Sequence, residues 1–204
     1  MSETLHVVPA RPRVTHQRTT PDLAAAAEAA AAFMTALGMP LDDPDLADTP
    51  RRLAHAYAEL LDVPEYDFTT FLNTERYDEL VLVQDIPVQS VCEHHLLPFS
   101  GVAHVGYLPS ARIVGLSKLA RTVDHFARRP QTQERLTMQI ARHLDEQLSP
   151  RGVGVVMEAS HSCMTLRGAR AHDTRTVTSS MLGHLRSEAA ARAEFLSLTS
   201  GRAR

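Results

Sequence analysis

Cys92-Glu93-His94-His95 and the later His161-Ser162-Cys163 contain both cysteines of the chain, each with a histidine close by. Two thiolates and one imidazole make a three-ligand zinc set with a fourth position open to water, which is how catalytic rather than structural zinc sites are built. Cys92 and His95 are three apart in a segment ending at Pro98, so both can face one ion, and Cys163 comes from a remote segment. An ion that binds only the folded chain also stabilises it. The remaining histidines could move protons beside the metal. Three other readings fit the same residues: buried cysteines with surface histidines, a four-ligand structural site that adds His94 or His161, and a Cys92–Cys163 disulfide.

Two further segments carry chemistry. Gly115-Leu116-Ser117-Lys118-Leu119-Ala120-Arg121 reads as a helix start with Lys118 and Arg121 on one face. Free N–H groups at a helix start favour an anion, whereas cations there oppose the macrodipole. Two such cations suit a phosphate ligand, or form a solvated face. In Arg128-Arg129-Pro130-Gln131-Thr132-Gln133-Glu134-Arg135, Glu134 opens a helix. A carboxylate suits that position, and it could equally accept paired hydrogen bonds from a purine edge.

Those residues must be held by a fold of moderate size. The chain has 204 residues, 44% hydrophobic and 22% charged, as in ordinary soluble globular proteins. A net charge of -3 argues against a nucleic-acid binder. No apolar run approaches the roughly 20 residues that span a bilayer. Arg11, Arg13 and Arg18 precede no apolar stretch, so no secretory signal is expected. Two cysteines make no disulfide framework, and a reducing cytoplasm is the expected location. There is no His-Glu-x-x-His helix, which excludes the common zinc peptidase pattern.

Residues 1–21 lack periodicity and read as a disordered tail. Residues 22–79 read as a helical extension, with one helix from Leu23 to Leu37 and a second beginning near Pro50 and carrying Leu53, Tyr57, Leu60 and Leu61 on one face; a polar loop follows. Strand patterns follow at 80–83, 88–91, 102–107 and 112–114. A helix capped by Ser117 turns Ala120, Val123 and Ala127 inward, and another after Pro130 shows Leu136, Ile140, Leu144 and Leu148 at four-residue steps. A strand over 152–159, a short strand after Cys163 and a helix over 181–198 complete the chain. Paired strands around a helical pair imply an α+β fold, an antiparallel sheet with helices on one face. Its amphipathic strands need covering, and oligomerisation is one way.

Taken together, Val91-Cys92-Glu93-His94-His95-Leu96-Leu97-Pro98-Phe99, Gly115 to Arg121, Arg128 to Thr137, His161-Ser162-Cys163-Met164 and Arg167-Gly168 resemble the GTP cyclohydrolase I family. The motifs occur in the family's order, and the resemblance covers about residues 40–185. It implies the tunnelling fold over residues 80–200, a four-stranded antiparallel sheet with a helical pair on one face, preceded by the N-terminal helical extension. It also implies a toroidal homodecamer with active sites between subunits, and conversion of GTP and water to 7,8-dihydroneopterin triphosphate and formate. That reaction is the entry to folate and other pterins.

The resemblance also implies roles. Cys92, His95 and Cys163 would hold Zn2+, which lowers the pKa of water toward neutrality for attack on C8 of the purine. His161 would donate a proton to N7, His94 would assist proton transfer, and Ser117 would serve the ribose steps. Glu134, supported by Gln133, would accept from guanine N1–H and the 2-amino group, both absent from adenine. Lys118, Arg121, Arg167 and Arg52, the last from another subunit, would bind the triphosphate. His55 stands where the family usually carries Lys or Arg, which implies weaker triphosphate binding as pH rises above about 7. Thr174 replaces a usual serine and keeps a hydroxyl. A paralogue feeding deazapurine or other specialised metabolism would share this chemistry. A non-catalytic nucleotide-binding oligomer would need a broken site, and every residue of the set is present.

Overall fold

The computed structural model describes residues 20–200, so most of the segment read as a disordered tail lies outside the described residues. The described chain divides between Asp62 and Val63 into two compact units. In the smaller unit α1 (Leu23–Ala36) is an alanine-rich helix whose first turn is capped by Asp22, with Oδ1 accepting from the Ala25 amide at 3.0 Å. Gly38, at φ +79°, follows its end. In α2 (Thr49–Leu60) Pro50 sits in the first turn, where its missing N–H costs nothing.

The larger unit holds β1 (Thr70–Leu72), β2 (Val81–Cys92), β3 (Pro98–Leu108), β4 (Arg112–Val114), α3 (Leu116–Ala127), β5 (Pro130–Gln131), α4 (Gln133–Leu148), β6 (Gly152–His161), α5 (Ser162–Thr165), β7 (Thr176–Gly183), α6 (His184–Ser187) and α7 (Ala189–Thr199). Its main sheet runs β5-β2-β3-β6-β7. The last four strands are the antiparallel sheet expected from the sequence, and β5 adds a two-residue parallel step beside the end of β2. The amphipathic helices α3 and α4 bury Leu119, Val123, Leu136, Ile140 and Leu144 against Val105, Val155 and Met157. The next residues along β3 and β6, Gly106 and Gly154, face the other way and receive the ring of Phe195 from α7. That face is therefore covered by a helix at one end as well.

Several sequence expectations change. The segments 80–83 and 88–91 are one strand, because a bulge between Val83 and Ile86, with Asp85 at φ +54°, absorbs the polar Gln84-Asp85 step. Residues 63–79, read with the helical extension, belong to the larger unit: Tyr66 and Phe68 are in its core and β1 pairs with β4. Gly115, not Ser117, is the N-cap of α3. Residues 181–183 finish β7, where Met181 and Leu182 pair with Gly154 and Val153, and helix begins only after Gly183 at φ +56°.

Behind the sheet a polar group is sealed in the core. The Tyr66 hydroxyl lies 2.8 Å from Thr122 Oγ1 and 3.0 Å from His143 Nε2, and His125 Nδ1 lies 2.8 Å from the Pro64 carbonyl. Burial, and then the neighbouring His125, lower the His143 pKa from 6.5 to about 4. The unfolded chain therefore binds a proton that the folded chain refuses. This contribution to stability is complete above pH 6.5 and is lost as pH falls toward 4. Melting temperature should drop between pH 7 and pH 5 more steeply in the wild type than in His143→Gln; equal slopes in thermal melts would rule out His143 as a source of acid sensitivity.

Candidate active site

The register of three strands assembles the site. Val91 pairs with Pro98 across β2 and β3, and Phe99 pairs with His161 across β3 and β6. Gly101 makes the second pairing possible, since a Cβ there would collide with the Glu158 carbonyl oxygen. Between β2 and β3 the chain reverses in a tight turn. The Leu96 amide donates to the Cys92 carbonyl at 2.8 Å, the Cys92 amide donates to the Leu97 carbonyl at 2.9 Å, and Leu96 takes φ +54°. After β6, the single helical turn α5 carries Cys163 back over the same strand ends.

As a result the ligand atoms of Cys92, His95 and Cys163 all lie within 4.8 Å of one another. Cys92 Sγ and His95 Nδ1 are 3.8 Å apart, close to the edge of about 3.6 Å that a tetrahedral zinc ion with thiolate and imidazole ligands requires. Both cysteines are free thiols. Burial, and after it the adjacent Cys92, push the Cys163 thiol up, while Arg167 opposes this electrostatically. A bound divalent cation reverses that preference, because a coordinating thiol is deprotonated outright. The donor set therefore fits zinc. His94 Nδ1 also lies 3.9 Å from Cys92 Sγ, but His94 stands outside the three-residue cluster and its side chain is 64% exposed.

His161 flanks the triad. Its ring stacks on Phe99 with centroids 4.4 Å apart and planes 12° from parallel. Nε2 is 2.8 Å from Gln133 Oε1. The Gln133 amide nitrogen donates to the Met157 and Thr176 carbonyls at 3.1 and 2.9 Å, with Thr178 Oγ1 at 3.1 Å. Two carbonyl acceptors fix which way the amide points, so Oε1 must accept and the His161 proton resides on Nε2. Nδ1 is the nitrogen left to exchange a proton. Burial lowers the His161 pKa, and the charge of Glu134 works against that shift. Gln133, expected at a purine edge, is buried and its amide is engaged by protein groups; it holds His161. Phe99 received no role from the sequence, and nothing in its spacing marks a stacking partner.

The α3 residues lie elsewhere. The Val114 amide, just before α3, donates to the Tyr107 hydroxyl at 3.1 Å. Tyr107 is eight residues from Phe99 along β3, about 26 Å at strand rise. Ser117 and Lys118 thus start α3 at the opposite end of the sheet from the triad of their own chain, and Arg121 lies about one turn further along a helix whose last residue, Ala127, accepts from Ser90 Oγ. Arg167 is near Cys163, as its effect on that thiol requires. Arg52 stands on α2 in the smaller unit, 3.2 Å from Asp48.

A family model described as GTP cyclohydrolase I matches residues 26–200. The chain belongs to the GTP cyclohydrolase I family. Among its relatives, a GTP cyclohydrolase 1 of Mycobacteroides abscessus is 52% identical over 182 residues, covering 87% of this chain and 89% of that protein. Another from Mycolicibacterium paratuberculosis is 50% identical, covering 90% and 93%. A third, from Thermobifida fusca, is 51% identical, covering 83% and 84%. In this member of the GTP cyclohydrolase I family, the Gln133–His161 pair shares no residue with the triad. Metal analysis of dialysed protein should find one zinc per chain in wild type and in His161→Ala, and none in Cys92→Ser or Cys163→Ser. Retention of stoichiometric zinc by both cysteine variants would show that the metal is held elsewhere.

Proposed function

We propose that this chain is a zinc-dependent GTP cyclohydrolase I, converting GTP and water to 7,8-dihydroneopterin triphosphate and formate, the entry step to pterins and tetrahydrofolate. The observation that carries the reading is the Cys92–His95–Cys163 cluster beside a histidine with a fixed tautomer, in a chain of this family. Zinc held by the cluster supplies Lewis acidity that brings the pKa of water toward neutrality. The residues around it do the rest. His161, with Nε2–H committed to Gln133, presents Nδ1 to purine N7. The charge of Glu134, which opposes the effect of burial, favours the imidazolium whose Nδ1 proton the acid role requires. His94, exposed beside Cys92, relays protons. Glu134 accepts from N1–H and the 2-amino group of guanine. Adenine would leave that carboxylate unpaired, which is a strong basis for rejecting ATP.

The active site is shared between subunits of a homo-oligomer in this reading, with a decamer the assembly the family resemblance implies. Its support is the position of Ser117 and Lys118 at the far end of the sheet, where one chain cannot offer them to its own triad. A second copy supplies Ser117 to the ribose steps and Lys118 and Arg121 to the triphosphate, joined by Arg167 and Arg52. Two free thiols are also consistent with work in a reducing cytoplasm. No described helix is long and apolar enough to cross a membrane.

Zinc-loaded protein should release formate from GTP and yield a fluorescent pterin after oxidation, with ATP inert; no formate from GTP would end this reading. Cys92→Ser and Lys118→Ala chains, each inactive alone, should recover part of the activity when unfolded and reassembled together. Failure to recover in co-assembled oligomers would place the whole site within one chain.

A further inference from the structure

One ion pair at the site is unexplained by the roles above. Arg135 Nη1 and Nη2 each lie 2.6 Å from a different oxygen of Glu93, a two-pronged pair joining the metal-ligand turn to the first turn of α4. The pairing holds Glu93 below the usual carboxylate range, with the Arg135 hydrogen bonds as the main cause. Both side chains are partly exposed, and ion pairs of that kind contribute little to stability, so stability alone is a weak reason for this one.

Its place in α4 points to another role. Thr132 is the N-cap, and its hydroxyl accepts from the Arg135 amide at 3.3 Å. The fourth residue of such a box is normally Glu or Gln, which would return a hydrogen bond to the cap. Here that position is arginine, a cation in the first turn of a helix, where the macrodipole disfavours it. The helix gives up half of its capping box, and the side chain reaches across to Glu93 instead. The backbone already joins the two segments one step earlier: Cys92 pairs with Gln131, and the Glu93 amide donates to the Gln131 carbonyl at 3.0 Å. The side-chain pair extends that junction past β5 to the residue beside Glu134.

We infer that Glu93 and Arg135 are positioning residues that set the separation between the metal cluster and the Glu134 carboxylate, so that one purine meets both. Bidentate guanidinium–carboxylate geometry fixes direction as well as distance, which a lysine ammonium cannot do. Misplacement by about 1 Å in such a site costs on the order of 100-fold in rate. The inference rests on the assignment of Glu134 to the guanine edge made above.

The test compares GTP with inosine triphosphate, which lacks the 2-amino group, in zinc-loaded Glu93→Gln, Arg135→Lys and Glu134→Ala oligomers. Arg135→Lys keeps the charge and removes the fork, and Glu93→Gln keeps the shape and removes one acceptor. Both should keep one zinc per chain and a melting temperature near that of wild type. The ratio of kcat/KM for GTP over the inosine nucleotide should fall at least about tenfold, mainly through kcat for GTP. Preference lost in Glu134→Ala but intact in the two pair variants overturns the inference alone. Preference that survives in Glu134→Ala overturns the purine-edge assignment and this inference with it. Loss of zinc from the pair variants also overturns it, since the pair would then serve metal retention.

Discussion

The register of β3 against its two neighbours is the constraint from which the site follows. Pairing Val91 with Pro98 sets Cys92 at the end of β2, and pairing Phe99 with His161 sets the start of α5 at the same level. Side chains alternate along a strand, so a slip of one residue would turn His161 to the other face and carry Cys163 away with it. The buried alternation of Ala103, Val105 and Tyr107 against α3 and α4 resists that slip, because it would expose the core set. Gly101 is part of the same device: it lets β3 approach β6 closely between Phe99 and Ala103.

Around the strand ends, hydrogen bonds make the arrangement stiff. Gln133 links α4 to the backbone of β6 and β7 and, through Oε1, to His161. One buried amide thereby joins three elements to the proposed acid. The surroundings favour uncharged forms of both partners, since burial raises the Cys163 thiol and lowers His161. The outer side of the ligand turn is held differently, by Glu93 and Arg135, which remain partly exposed.

The elements were legible in proportion to their periodicity. Leu136, Ile140, Leu144 and Leu148 announce α4 at four-residue steps, and all four are buried. Proline and glycine mark the ends of α1 and α2. What sequence reading lost were elements defined by partners rather than by pattern. Thr70–Leu72 is a strand only because β4 lies beside it, and Met181–Leu182 is strand because Gly154 and Val153 pair with it. Intrinsic preference for helix at 181–183 yields to those ladder hydrogen bonds. Ser117 carries a capping side chain, but the chain turns into α3 two residues earlier, at Gly115.

For the site, residue type and spacing alone offered a zinc-type ligand set of Cys92, Cys163 and a histidine, alongside readings as buried cysteines, a structural site or a disulfide. The motifs determined the family. Tertiary structure decided what depends on direction and distance. It put His95 rather than His94 into the cluster, gave Gln133 to His161, and stacked Phe99 on the same ring. It also set Lys118 at the opposite end of the sheet, although it is closer in sequence to Cys92 than Cys163 is. The physical reason is that a sequence records which groups can bond, while strand register and helix direction choose which of them come within reach.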